Sequence, residues 1–144
     1  MAFQIGEKAE CSFETSVSKA GLSCEKSSFP EEMRHIDFWI EGNKTPRTAV
    51  DVKSRKKVKR ADDKFNDEVV WIEFANVQGK RGWLYGDSDI IAFERPEDFL
   101  LVNRKLLARL WRKAVRSLET KRRYQNASLH WLSKKRPQRS SFFD

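Results

Sequence analysis

Cysteine is scarce in this chain. There are two in 144 residues, Cys11 and Cys24, with no CxxC and no Cys/His cluster. That spacing argues against a zinc site and against a disulfide framework, and predicts two reduced thiols in a cytosol-like compartment. Long apolar runs are also missing, and the longest fall far short of the roughly 20 residues of a membrane span. The opening residues Met1-Ala2-Phe3-Gln4-Ile5-Gly6-Glu7 lack a basic region followed by an apolar stretch. No signal peptide is read there, and a cytoplasmic location without membrane contact is expected. No internal repeat occurs.

Positive charge is plentiful. Lys and Arg number 29 against 21 Asp and Glu, a formal net charge of +8. The imbalance favours a polyanionic partner, nucleic acid before membrane, although a basic domain without such a partner is the plainer alternative. Hydrophobic residues are 39% of the chain and include five Trp and ten Phe, enough for one domain around a single core.

The pattern predicts a helix over 6–20, with Ala9, Phe13, Val17 and Ala20 on one face and Gly21 as its stop. A short strand over 22–26 and a loop over 27–32 punctuated by Pro30 follow. The alternation of Ile36, Phe38 and Ile40 with His35, Asp37 and Trp39 predicts a strand over 34–41. A turn at 42–46 leads to a strand over 48–55, making an antiparallel hairpin. The charged segment 55–67 reads as loop. Val69 to Val77 reads as a third strong strand, and 89–93 and 98–102 as two more. Residues 104–119 read as a helix with Leu106, Leu107, Leu110, Trp111, Val115 and Leu118 on one side. Its other side carries Arg104, Lys105, Arg109, Arg112, Lys113 and Arg116. The fold class is therefore α+β or mixed α/β, a largely antiparallel sheet flanked by helices. Residues 1–120 form the domain and 121–144 a basic C-terminal extension.

Two strands carry the chemistry. Residues i and i+2 of a strand share a face, so Asp51 and Lys53 point one way and Val50 and Val52 the other. Asp37 lies in the preceding strand, with thirteen residues between it and Asp51, a separation that a hairpin closes. Aspartate is depleted in strands, so two in strong strands call for a reason. A carboxylate pair beside an ammonium can hold a divalent cation and activate water against a phosphodiester. The competing reading pairs each aspartate with a nearby Lys or Arg on a solvated face.

In order and residue type, Glu10 on the first helix, Gly21, Asp37 on a strand and Asp51-Val52-Lys53 on the next resemble the PD-(D/E)XK nuclease superfamily. The order is most similar to its small Holliday-junction resolvase branch, and the resemblance covers roughly residues 6–77. It implies a restriction-endonuclease-like core, a central mixed β-sheet flanked by helices. It further implies a homodimeric Mg²⁺- or Mn²⁺-dependent endonuclease acting on DNA, branched or junction DNA included. Asp37, Asp51 and the Val52 carbonyl would ligate the metal, Lys53 would orient water or stabilise developing charge, and Glu10 would reach the metal or its water, with Glu14 as the competing choice. The sequence departs from the commoner pattern in having Asp51 where Glu is usual and Ile36 before the first aspartate.

Weaker candidates complete the set. His35 reads as a supporting group or phosphate contact, or as merely exposed. Glu73 could face the same site or form a cross-strand ion pair. Gln78 matches a glutamine that some superfamily members use to position the nucleophile. Arg55, Lys56, Lys57, Lys80 and Arg81 are the predicted nucleic-acid contacts. Gly79, Gly82 and Gly86 could let a loop approach a phosphate backbone, with Trp83 or Tyr85 stacking on a base. They equally suit a glycine-rich connection holding two core aromatics, and no GK[ST] makes the loop a P-loop. A non-catalytic nucleic-acid-binding module and an RNA-directed nuclease are the rival functions.

Overall fold

The computed structural model describes residues 2–57, 64–68, 70–75 and 78–117, with the backbone alone for 2, 3 and 115–117. The extension 121–144, Val69, Val77 and Leu118 lie outside the described residues. In chain order come α1 (Ala2–Lys19), β1 (Ser23–Lys26), α2 (Phe29–Glu32), β2 (Phe38–Gly42), β3 (Thr45–Lys53), the 3₁₀ turn η1 (Trp83–Tyr85), β4 (Ile90–Glu94), β5 (Phe99–Asn103) and α3 (Arg104–Ser117). The five strands form one mixed sheet in sequence order, with β3 and β4 parallel and the other neighbours antiparallel. Among the described residues no helix is long and apolar enough to cross a membrane.

The sheet separates two apolar layers. Ala9, Phe13 and Val17 of α1 pack on Phe38, Ile40, Val50, Val52 and Ala92. Leu107, Ala108 and Trp111 of α3 pack with Ile72, Trp83, Leu84, Ile91, Phe93 and Val102 on the opposite side. Alternate residues of β3 and β4 thus go to opposite faces, as strand periodicity requires. The parallel β3–β4 pair needs a crossover, and residues 54–89 supply it.

Several boundaries differ from the sequence expectation for physical reasons. α1 begins at Ala2 rather than near residue 6, and it ends where Gly21 takes a positive φ of 77°. There Leu22 N–H bonds to Val17 O and Gly21 N–H to Ser18 O, the paired bonds of a Schellman cap. The segment 27–32, expected as loop, contains α2, capped reciprocally by Ser28 and Glu31. The strand expected from residue 34 starts at Phe38. His35 sits at φ 63°, with His35 N–H bonded to Glu32 O and Ile36 N–H to Glu31 O. A second Schellman-type cap, with histidine where glycine is usual, thus consumes residues 34–36.

The strong strand expected from Val69 to Val77 is absent from the described residues of that range. Ala75 makes a single bridge with Arg81, and Gly82 N–H bonds to Phe74 O. β4 occupies the edge of β3, so this apolar segment covers the sheet instead, with Ile72 buried. On α3, Leu106 and Leu110 are exposed rather than packed.

Candidate active site

Asp37 and Asp51 meet where β2 and β3 part. β2 pairs with β3 through Phe38↔Val50, and one step beyond the end of β2 brings Asp37 opposite Asp51. At that step the ladder changes hands. Asp37 N–H still bonds to Val50 O at 2.8 Å, but Val52 N–H bonds to the Asp37 carboxylate oxygen Oδ2 at 2.7 Å. The side chain of Asp37 replaces a backbone acceptor that β2 no longer provides.

Asp51 is the most unusual group in the chain. It is 1% exposed. Its Oδ1 accepts from Lys53 Nζ at 2.5 Å, and its buried Oδ2 has no hydrogen-bond partner among the described residues. Burial pushes the Asp51 carboxyl up to about 8; the Lys53 charge opposes the shift and the neighbouring Asp37 adds to it. Lys53 lies on the same face, with its Nζ 5.6 Å from the centre of the Trp83 ring. Trp83 is itself buried in the α3-side layer, so it roofs the lysine and limits water at the pair.

His35 and Glu73 stand at the rim. Burial, then the Lys53 charge, holds the His35 imidazole below its ordinary range, against the opposing pull of the Arg81 backbone, Glu73 and Asp37. The histidine is therefore a half-buried neighbour of the pair, not a solvated strand residue. The glycines explain the closeness of the loop. A Cβ on Gly82 would fall 2.3 Å from Glu73 O, and one on Gly86 2.7 Å from the His35 Cβ. With Trp83 and Leu84 buried, this stretch is a glycine-tight connection carrying core aromatics, and Trp83 does not offer a stacking face.

The remaining candidates are engaged by other groups or exposed. Glu10 Oε2 accepts from Lys26 Nζ at 2.9 Å, a partner that the alternation of β1 places on the α1 side with Cys24. Arg55 binds Asp67 through two hydrogen bonds of 2.6 and 2.7 Å and lies 4.6 Å over Phe65. That bidentate, stacked arginine holds the crossover in place. Lys56, Gln78, Lys80 and Arg81 are exposed and Lys57 half-buried. The sequence reading missed Lys26 as the partner of Glu10 and Trp83 as the roof of Lys53. The first was readable from the i, i+2 spacing of Leu22, Cys24 and Lys26; the second had no local signal.

The donor set fits a hard divalent cation. Two carboxylates converge, one with a buried oxygen that has no hydrogen-bond partner among the described residues, and the Val52 N–H bonds to the other. Among the described residues no three His, Cys, Asp or Glu side chains are grouped to hold a metal. Mg²⁺ is commonly held by one or two carboxylates, with water and substrate phosphate completing the shell. Comparison with protein-family models, with curated proteins and with solved structures gives no match.

Proposed function

We propose that this chain is a divalent-metal-dependent endonuclease hydrolysing phosphodiester bonds in DNA, with branched DNA among the substrates to be tested first. The observation that carries the reading is the buried, half-satisfied Asp51 carboxyl between Asp37 and Lys53. A structural ion pair does not need an orphaned oxygen, which leaves a polar group desolvated and unpaired. Such groups concentrate at functional sites.

Asp37 and Asp51 would hold Mg²⁺ or Mn²⁺, with the Val52 carbonyl as a further oxygen. The cation would polarise the phosphate and lower the pKa of bound water. Lys53, held by Asp51 and roofed by Trp83, would stabilise the negative charge that develops on the phosphate oxygens. Asp37 is anchored by the Val52 N–H. The Glu10–Lys26 pair has side chains 26% and 58% exposed. Such a pair contributes less than about 1 kcal/mol, so it does not lock Glu10 away. The order α1, β1, β2, β3 agrees with the element order that the nuclease resemblance implies.

The test is cleavage of supercoiled plasmid, linear duplex and a four-way junction with Mg²⁺, Mn²⁺ or EDTA. Asp51→Asn is expected to lower metal-dependent cutting by at least about 10²-fold, on the scale of losing one electrostatic contact to a transition state. Thermal unfolding at pH 8 adds a readout independent of turnover. Mg²⁺ should raise the melting temperature of the natural chain and not that of Asp51→Asn. Cutting in EDTA, or equal cutting by the variant, refutes the site.

A non-catalytic nucleic-acid-binding module is the second reading. The engagement of Glu10 by Lys26 favours it, because it leaves two acids and not three at the centre. It predicts DNA binding with no Mg²⁺ effect on stability.

A further inference from the structure

α3 contains no acidic residue in its fourteen positions. At roughly 100° per residue, Lys105, Arg109, Arg112 and Lys113 fall within about 100° of arc. All four are exposed, and none pairs with a carboxylate among the described residues. Arg112 Cζ lies 5.7 Å from the centre of the Tyr85 ring, which turns this arc toward η1. The same three-residue η1 carries Trp83, whose ring meets Lys53. Two carboxylates that follow η1 are already engaged. Asp87 binds Arg34 and Asp89 accepts from Ala49 N–H. Arg104 fixes the start of the helix by donating to Ser88 O and Leu84 O.

We infer that the basic arc of α3 is the surface that holds the nucleic-acid backbone, leading a strand across η1 to the Asp51–Lys53 centre. The inference rests on the nucleic-acid reading of the function but not on cleavage. An unneutralised row of cations on a rigid helix suits phosphates spaced along a polymer. Arg112, stacked on Tyr85, is pre-positioned and loses less freedom on binding. At the same spacing the exposed Leu106 and Leu110 flank the Lys113 edge of the arc, roughly 120° and 160° from Arg112, so a backbone led across Tyr85 follows the opposite edge. An anionic lipid surface would engage those leucines together with the cations.

The experiment is fluorescence anisotropy with a labelled four-way junction and a duplex in EDTA, across a salt series. Arg109→Glu/Lys113→Glu is compared with Lys8→Glu/Lys44→Glu, two exposed lysines on α1 and the β2–β3 turn that change net charge equally. The α3 pair should weaken binding by at least about tenfold and flatten the log–log salt slope by about 2, with the control near the natural chain. Arg109→Gln/Lys113→Gln, a milder change, should weaken binding in the same direction. Binding measured in EDTA needs neither metal nor turnover, which separates failure of this surface from failure of the catalytic reading. Equal losses in both double variants would overturn the inference, since net charge alone would then be acting. So would unchanged nucleic-acid affinity in the α3 variants together with lost binding to phosphatidylserine vesicles.

Discussion

Val50 and Val52 enter a cluster closed by Ala9, Phe13 and Val17, while Asp51 and Lys53, their neighbours in the same strand, turn to the layer of Trp83 and Ile91. The α1 face is filled by side chains that gain only from burial. The α3 face buries apolar surface as well, yet places a carboxyl and an ammonium inside it. The helices differ in the same sense. α1 carries Glu7, Glu10 and Glu14 beside Lys8 and Lys19, whereas α3 carries only cations. A sheet with one stabilising face can support a strained second one, and that division is what each substitution below probes.

The largest effect is expected on the dry face. Phe13 is 2% exposed and its ring meets those of Phe38 and Phe99, with centres 5.8 and 5.2 Å away. Phe13→Ala should cost about 3–5 kcal/mol in urea unfolding, the usual range for a buried aromatic. It packs on the face of the sheet opposite Asp51 and Lys53, so any DNA affinity of the folded fraction should persist. A loss below about 1 kcal/mol would mean that stability does not reside on this face.

On the other face the sign reverses. The Asp51 carboxyl titrates at about 8 in the folded chain against an ordinary value of 3.8. Below pH 4 the proton is bound in both states and the shift has no effect. Between pH 4 and 8 the folded state keeps a proton that the unfolded chain releases, so stability falls as pH rises, by at most about 1.4 kcal/mol per unit. Above pH 8 the loss is constant. Asp51→Asn removes that dependence, at the expense of the partner of Lys53. The variant should therefore gain on the natural chain as pH rises, by up to about 4 kcal/mol between pH 5 and pH 9. A difference independent of pH would show that Asp51 is an ordinary ion-pair partner.

Asp37 separates structure from chemistry. Its Oδ2 is the acceptor for the Val52 N–H. Asp37→Ala should cost about 1–3 kcal/mol by leaving that donor unpaired. Asp37→Asn keeps an acceptor oxygen and should retain most of the stability while removing the negative charge. Equal destabilisation by both would place the requirement on charge and not on the hydrogen bond.

The two faces also differ in how far the sequence betrayed them. Helical spacing of Ala9, Phe13 and Val17 located α1, and period-two alternation put Val50 and Val52 opposite Asp51 and Lys53. The hairpin between Asp37 and Asp51 followed from the short Gly-Asn-Lys turn. Residues 34–36 kept the alternation of a strand while the backbone closed a helical turn, because hydrogen bonds to Glu31 and Glu32 override side-chain pattern there. Val70 to Phe74 is as apolar as a strand but finds the edge of β3 occupied by β4. Long-range competition of that kind leaves no local trace. The i, i+2 spacing of Leu22, Cys24 and Lys26, by contrast, does put Lys26 on the α1 side, where Glu10 meets it.

The smallest effect tests the seam between the two faces. His35 takes the left-handed position that closes the turn after α2, where Gly21 does the same for α1. A non-glycine residue there is strained by about 1–2 kcal/mol, while glycine in its place adds freedom to the unfolded chain. These terms nearly cancel, so His35→Gly should leave stability within about 1 kcal/mol of the natural chain. His35→Ala keeps the strain, loses the imidazole, and should be the less stable of the two. If glycine is also neutral for cleavage and DNA affinity, the histidine serves only the turn. If it lowers cleavage with affinity intact, an imidazole held between Lys53 and Glu73 has a part in the centre that the backbone strain keeps in place.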